Sequence, residues 1–319
     1  MTTVSTNIRL FTENDYEVVA QLWNAAYPYK TTADELRRET AKRPEHLILK
    51  RYVLEQNGSP VGYGSFQHSE DSFHPQKFWL GPVMPPAHQG KGYGKALFEH
   101  LLKELEPYKP TELRDFSRED WTRKNRFLSE RGFEEESRSF ESRLDVAACD
   151  LTNFVGLEEA LAAQGLEVKT YADLAHDPAR NHKIYDLHTT LDLDVPMTGE
   201  YTKPTFERFA SYHWEDERFV PEGYLVAVAG DEYVGLSELF VSQADDKLHT
   251  GLTGVRREQR RKGVALSLKV AGARFAQTFG APEINTWNES NNAPMLAINE
   301  RLGFVRQPAN IDFVKKIGS

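Results

Sequence analysis

Apolar residues along this chain follow two rhythms. Runs of period two bounded by Gly, Pro, Asn or Asp read as strands, and runs with apolar residues three or four apart read as amphipathic helices. Ile8–Phe11 reads as a short opening strand, and Glu13–Ala26 as a helix with Val18, Val19, Leu22 and Trp23 on one side. Tyr52–Glu55 and Val61–Phe66 flank Asn57-Gly58, a dipeptide that tolerates the positive φ angles of a two-residue hairpin turn. Phe78–Val83 is a further strand that runs into a glycine-rich stretch. Leu97, Phe98, Leu101, Leu102 and Leu105 then mark one face of a helix, which Pro107 and Pro110 end. Thr111–Phe116 reads as a strand, Trp121–Arg131 as a helix, and Gly132 as its left-handed cap before a last strand.

The second half repeats this order. Leu166–Thr170 reads as a strand and Asn181–Thr189 as a helix. Tyr224–Ala229 and Tyr233–Val241 flank the turn Gly230-Asp231-Glu232, and Lys247–Val255 is the strand that enters a second glycine-bearing stretch. Leu266, Val270 and Ala273 share one face of the next helix, which stops at Gly280. Ile284–Trp287 is a strand, and Pro294–Leu302 a helix capped by Gly303. Residues 147–157 read as a connector, and Asn153–Gly165 as a short helix of the second unit. Residues 192–205, rich in Pro, Thr and acids, are expected to form a substrate-facing loop.

Three landmarks recur at nearly one offset. Gln89–Gly94 and Arg260–Ala265 lie 171 residues apart, as do Gly132-Phe133 and Gly303-Phe304, while Val61-Gly62 and Val234-Gly235 lie 173 apart. The pattern implies a duplicated α/β unit with a mixed sheet, divided as residues 1–147 and 148–319. A length of 319 residues suits two cores better than one.

Composition adds mainly exclusions. A formal net charge of −9 argues against a dedicated nucleic-acid binder. No apolar stretch reaches membrane-spanning length, and Met1–Ser5 carries no basic segment followed by an apolar run, so no membrane partner and a cytoplasmic location are expected. Cys149 is the single cysteine, which rules out an intrachain disulfide and a cysteine-based metal site. His68, Glu70, Asp71 and His74 are metal-ligand types without helical ligand spacing and read as a polar turn; no metal is expected.

The repeated glycine stretches carry the chemistry. Each follows a strand and opens a helix, whose first-turn N–H groups are unpaired and lie at the positive end of the helix dipole. Small residues let a diphosphate approach those N–H groups, and basic residues add charge. The candidate ligands are Gln89, Gly90, Lys91, Gly92, Tyr93, Gly94 and Lys95, and Arg260, Arg261, Lys262, Gly263, Val264 and Ala265. Neither stretch ends in Gly-Lys-Ser/Thr, which disfavours a nucleoside-triphosphate loop. Each follows the fourth predicted strand of its half, not the first, which disfavours a dinucleotide-binding domain.

That whole order resembles the GCN5-related N-acetyltransferase (GNAT) family, whose Arg/Gln-x-x-Gly-x-Gly/Ala motif grips the diphosphate of coenzyme A. The resemblance covers both halves and is similar to the tandem arrangement of mycothiol synthase. It is more specific in the second half, through Thr250–Val255, Arg260–Ala265, Thr286-Trp287-Asn288, Asn292, Met295, Asn299 and Leu302-Gly303-Phe304. It implies an acyltransferase that uses acetyl-CoA to acetylate a primary amine of a small molecule, with the C-terminal domain the catalytic one. It further implies a bulged strand before the loop whose backbone holds the pantetheine arm, ending at Val83-Met84 in the first half and Val255-Arg256 in the second. Asn292 matches an asparagine that reaches the cofactor, and Trp121 stands at the corresponding place in the first half. Many family members place an acidic tyrosine four residues before the glycine of Gly-Phe; here those positions hold Leu128 and Asn299. Asn299 can donate a hydrogen bond to sulfur but no proton. These absences also keep open a non-catalytic acyl-CoA-binding or sensing protein.

Acetyl transfer needs the attacking nitrogen neutral. Glu238, on a hairpin strand amid Leu236, Leu239 and Phe240, is a base candidate, because a carboxylate there is costly unless paired or used. His249 is the second, because it shares strand parity with Gly251, Thr253 and Val255. A strand histidine is more commonly a satisfied core or surface residue. Tyr224, Asp194 and Glu200 are candidates for substrate recognition. The cluster Arg256, Arg257, Arg260, Arg261 and Lys262 lies at the phosphate loop, so a cofactor phosphate fits it better than nucleic acid.

Overall fold

The computed structural model describes residues 5–196 and 199–318. They form two compact units. The first comprises the chain up to Ser137 together with the segment from Asn310 onward; the second comprises Arg138–Ala309.

The elements are, in chain order, β1 (Thr6–Leu10), α1 (Tyr16–Ala26), α2 (Ala33–Lys42), β2 (Leu49–Gln56), β3 (Ser59–Gln67), β4 (Lys77–Val83), α3 (Tyr93–Leu105), β5 (Glu112–Arg118), α4 (Thr122–Ser129) and β6 (Glu134–Asp145). There follow α5 (Leu157–Ala162), β7 (Glu167–Thr170), α6 (Arg180–Asp192), α7 (Phe206–Tyr212), β8 (Phe219–Ala229), β9 (Glu232–Val241), β10 (Leu248–Val255), α8 (Val264–Phe279), β11 (Glu283–Glu289), α9 (Ala293–Leu302), β12 (Val305–Arg306) and β13 (Asn310–Lys316).

In the first unit the strands run β1-β2-β3-β4-β5-β13. Every pair is antiparallel except β4 with β5. Asn57 and Gly58 take the positive φ angles of the expected hairpin turn, 51° and 78°. Leu97, Leu101 and Leu105 of α3 pack with Phe66, Phe78, Leu113 and Phe313 in one core. Val19, Leu22 and Tyr27 pack with Val53, Tyr63 and Val83 in another.

In the second unit the order is β6-β11-β10-β9-β8-β7, with β12 on β6. Only β10 with β11 is parallel. One core joins α8, through Leu266, Val270 and Ala273, to Leu239, Leu248 and Ile284. A separate core joins Ile184, Leu187 and Leu191 of α6 and Phe209 of α7 to Tyr224, Val226 and Leu236.

The two units interleave in sequence. β6 follows the first Gly-Phe yet pairs along β11, from Ser139 to Asp145. β13, near the chain's end, pairs along β5 from Glu112 to Arg118. Each unit therefore takes a strand from the other half of the gene order. No strand after Gly303-Phe304 was expected from the sequence, and hydrophobic alternation marks a strand without naming its partner.

Candidate active site

The geometry that matters starts where two parallel strands stop pairing. In the second unit β10 meets β11 at only two positions, Leu248 with Ile284 and His249 with Asn285. β10 continues to Val255 and β11 to Glu289, so a split opens between them. Within β10 a bulge falls between Thr250 and Thr253 opposite Leu239 and Ser237. Such an extra residue turns backbone N–H groups out of the ladder. Leu252 N–H is one of them, and it donates to Glu238 Oε1 at 2.8 Å.

Beyond the split, the two glycine loops are built alike. Each has a short 3-10 turn, Pro86–His88 or Arg257–Gln259. Gln89 Nε2 then donates to Met84 O at 2.9 Å, and Arg260 Nε to Val255 O at 3.0 Å. Both side chains thus clip the loop to the strand end. Gly92 and Gly263, with φ of 85° and 86°, cap α3 and α8 without any side-chain bond to the first turn. The first-turn N–H groups are left open to an anion. Gly90 has φ 78°, and its counterpart Arg261 is held at 62°, a region a residue with a side chain seldom adopts. Tyr93 and Val264 point into the cores, so they offer only backbone. Lys91 and Lys262 are exposed, and Lys95 pairs with Glu99 at 3.7 Å. Gly94 and Ala265 sit in the first helical turn. A cleft of about 550 Å³ in the first unit is lined by Met84, Gln89, Gly90, Gly92, Gly94 and Lys95, among others. Val83, at the end of β4, is buried in the core. The fit for a diphosphate thus rests on open N–H groups, small residues and flanking cations.

Two basic residues assigned to the cofactor are already occupied. Arg256 N–H donates to Val234 O at 2.8 Å and its Nε to Tyr233 O at 3.1 Å. Arg260 and Arg257 both hold the carboxylate of Asp194, just past α6; Arg257 Nε lies 3.1 Å from Oδ1. The side chain expected to recognise substrate therefore sits against the phosphate loop, and the two guanidiniums keep its carboxyl below the usual range.

Asn292 is the N-cap of α9, with Oδ1 3.4 Å from Met295 N. Its backbone angles, −83° and 60°, nearly equal those of Trp121 before α4, −89° and 61°. The two positions are structurally equivalent, and only one carries an amide. Asn299 is buried and donates from Nδ2 to Asn288 Oδ1 at 2.7 Å, whereas Leu128 is a core residue.

Glu238 is buried at the centre of a polar cluster that the sequence did not reveal. His188 of α6 reaches Oε1 through Nε2 at 3.1 Å and Asp192 Oδ2 through Nδ1 at 3.0 Å. His213, just after α7, brings Nε2 to 3.4 Å from Glu238 Oε2, and its Nδ1 lies 2.8 Å from Phe209 O. Tyr201 OH donates to Asp192 Oδ2 at 2.8 Å. Tyr224 lies opposite Glu238 in the β8–β9 register. Burial pushes the Tyr224 hydroxyl pKa well up. The donor atoms of His188, His213 and Glu238 lie within 4.8 Å of one another. Burial disfavours charge on His188, but Glu238 and Asp192 outweigh it and push its pKa up to about 10. Burial would raise Glu238, yet the two histidines hold it below its ordinary value. Burial lowers His213, leaving a neutral ring as the acceptor in the cluster. The i, i+4 pair His188 and Asp192 was the one available signal.

His249 stacks on Trp287 with ring centroids 5.5 Å apart. The strand-parity argument holds only in part: the register pairs His249 with Phe240, on Glu238's side of the sheet, but the bulge puts Thr253 and Val255 on the other. His68 is a loop clip, accepting Ile48 N–H at 3.1 Å. Cys149 is buried against Leu302 O, and burial raises its thiol pKa. Among the described residues no helix is long and apolar enough to cross a membrane.

The sequence profile of the Acetyltransferase (GNAT) family matches residues 16–133 and 183–304. A mycothiol acetyltransferase of Streptomyces bingchenggensis (strain BCW-1) is 26% identical over 264 residues, covering 81% of this chain and 77% of that protein. One of Amycolatopsis mediterranei (strain U-32) is 23% identical, covering 80% and 81%. Among solved structures, a tandem GNAT protein from the clavulanic acid biosynthesis pathway superposes with a TM-score of 0.75 at 16% identity, covering 99% of each chain. A GCN5-related N-acetyltransferase from Sphaerobacter thermophilus gives 0.69 at 18%, covering 98% of this chain and 96% of that one.

Proposed function

We propose, from the premise that this chain belongs to the acetyltransferase (GNAT) family and is an acyltransferase, that its second unit transfers an acetyl group from acetyl-CoA to a primary amine of a small molecule. The observation that carries this reading is Glu238, a buried carboxylate fixed by a bulge N–H and flanked by one charged and one neutral histidine. A carboxylate in that setting attracts an ammonium, whose proton passes to the cluster through the neutral His213 ring beside it. Acetyl-CoA supplies the activated acetyl group. The N–H groups of the first turn of α8 and the clipped loop hold its diphosphate, and Asn292 and Asn299 flank the split. Removal of a positioned base costs about 100- to 10,000-fold in rate.

The test is thiol release from acetyl-CoA with a panel of small primary amines, beginning with the acceptor of the mycothiol acetyltransferases that the chain resembles. Wild type should turn over at least one amine, and Glu238→Gln should bind coenzyme normally but lose turnover. Tight coenzyme binding with no turnover on any amine would favour a sensing protein instead.

The first unit fits that second role by itself. Its strand β4 pairs with β3 without a register shift and carries Pro82, which has no N–H. We read it as a coenzyme-binding unit without chemistry, a role that Leu128 and Trp121 also suit.

A further inference from the structure

We propose, building on the acetyl-transfer reading above, that Lys269 acts through Thr286 as the proton store for the thiolate that leaves when the acetyl group departs from coenzyme A. Lys269 lies on α8 and is buried, with Nζ 3.4 Å from Thr286 Oγ1. Thr286 is the first residue of β11 past its last pair with β10, so it marks the apex of the split. Two residues on along the same strand face, Asn288 holds Asn299, the residue at the missing tyrosine's position. Ser142 stands opposite Thr286 in register. The Ser142 hydroxyl and Asn299 Oδ1 are buried without hydrogen-bond partners. Buried polar side chains thus gather along β11 just past the point where the split opens, the end towards which a pantetheine arm entering from the loop at Val255 would point.

A buried lysine with no counter-ion is costly and calls for a reason. The groups against Lys269 Nζ are Thr286 Oγ1 from β11, at 3.4 Å, and the Phe304 ring, at 5.0 Å, with Ser142 opposite Thr286 on β6. None of them is charged, and burial pulls the ammonium pKa down to about 7. The group therefore exchanges a proton near neutral pH, as a relay must. In the first unit the corresponding position of α3 is Phe98, a core residue. The lysine is a specific departure within the duplicated helix.

The step balances as follows. The amine nitrogen bonds to the acetyl carbon, the carbon–sulfur bond breaks, and its electron pair goes to sulfur. Lys269 passes a proton to the Thr286 hydroxyl as that hydroxyl passes its own to sulfur. Coenzyme A leaves as a thiol and Lys269 remains as a neutral amine. The proton shed by the acceptor nitrogen goes to the Glu238 cluster on the opposite sheet face, and Lys269 regains its proton from solvent.

The experiment titrates the thiol of bound coenzyme A by thiolate ultraviolet absorbance in wild type, Lys269→Met and Thr286→Val, and measures kcat against pH for each. The Lys269→Met thiol should titrate about one pH unit higher than wild type, a roughly tenfold change in thiolate fraction. Its kcat should fall about 100-fold and lose the alkaline limb that wild type is expected to show above neutrality. Thr286→Val should lose the same limb while retaining the wild-type thiol titration. Unchanged thiol titration and an unchanged pH profile in Lys269→Met, with coenzyme bound normally, would overturn the proposal and leave the acetyltransferase reading standing. A normal limb in Thr286→Val would overturn the relay. Failure of the wild-type second loop to bind coenzyme at all would sink the reading beneath it.

Discussion

The two units share a loop and differ one strand away from it. Gln89 and Arg260 make the same clip to the strand end, and Gly92 and Gly263 hold the same left-handed cap. Behind the first loop, however, β4 is regular, and Asp115 reaches across to β4 so closely that a Cβ at Gly81 would lie 2.8 Å from its carboxylate. That carboxylate pairs with half-buried Lys124 at 3.0 Å. Behind the second loop β10 is bulged, and its bulge addresses Glu238, a residue for which the β3 segment SPVGYGSFQ supplies no acid. Duplication has preserved the backbone geometry of the glycine loop, the proposed diphosphate cradle, and let the side chains beside it diverge. Cradle geometry therefore says little about turnover; the strand beside it says more.

The sharpest way to break that comparison is to block each cradle in turn. Gly263→Val forces a β-branched residue to φ 86° and puts a side chain where the diphosphate would rest. Since only Leu157, at 3.9 Å, lies near the added Cβ, the protein itself should tolerate the change apart from backbone strain. Calorimetry should show at least a 100-fold loss of coenzyme affinity in the second unit and no turnover. Gly92→Val, at φ 85°, should remove binding in the first unit and leave turnover intact. Turnover lost in Gly92→Val and kept in Gly263→Val would reverse the assignment of the two units. Next in size is Glu238→Gln, with a loss of about 100- to 10,000-fold in kcat and little change in coenzyme affinity. It should also release His188 from its raised pKa. Pairing of that histidine contributes stability fully below its ordinary value of 6.5, and the contribution is lost as pH rises through about 10. Wild type should therefore lose stability relative to Glu238→Gln across that window, as chemical denaturation at a series of pH values would show.

Most of the architecture could be read from the chain because backbone patterns leave local marks. Asn57-Gly58, the glycine loops and the caps Gly132 and Gly303 are each a single residue type answering one backbone demand. The family resemblance followed from their order. Helix α2 escaped because Ala33–Lys42 is almost wholly polar, and α7 because it hides in a stretch rich in loop formers. The exchange of β6 and β13 escaped because pairing partners are set by tertiary packing. At the site, Glu238 stood out as an acid among apolar neighbours, but His188 and His213 lie 50 and 25 residues earlier on separate helical segments. Lys269 was hidden by its context, since a lysine on an amphipathic helix ordinarily faces water. The bulge, which decides where His249 and Thr253 point, has no composition of its own.

A smaller effect tests the floor of the two units against each other. Lys269→Met makes the second floor apolar, as Phe98 makes the first. Because burial depresses the lysine pKa from 10.5 to about 7, the folded state is penalised where the unfolded chain holds a proton it does not. Relative to Lys269→Met, wild-type stability should be full above about 10.5, fall as pH drops from there to about 7, and then level off. Lys269→Met should lack this component and should exceed wild type near and below neutral pH by on the order of 5 kcal/mol, the drop from 10.5 to about 7 converted at about 1.36 kcal/mol per pH unit. Parallel stability curves for the two proteins would mean that the lysine finds a counter-charge or water and that the two floors are more alike than their residues suggest.

The smallest expected effect concerns the loops themselves. Asp194 occupies the cationic edge of the second loop, held by Arg257 and Arg260, while the first loop has Gln89 where the second has Arg260. A diphosphate arriving at the second cradle competes with that carboxylate for the same guanidiniums. Exposed ion pairs of this kind are worth about 1 kcal/mol or less, so the competition is modest. Asp194→Asn should strengthen coenzyme binding at the second loop by up to about fivefold. The gain should shrink in high salt, because it arises from exposed charge. Affinity at the first loop, measured in the same titration, should not move. Weaker binding in Asp194→Asn would show the opposite role: the acid would then be positioning the two arginines for the diphosphate, and the second cradle would depend on side-chain order that the first does without.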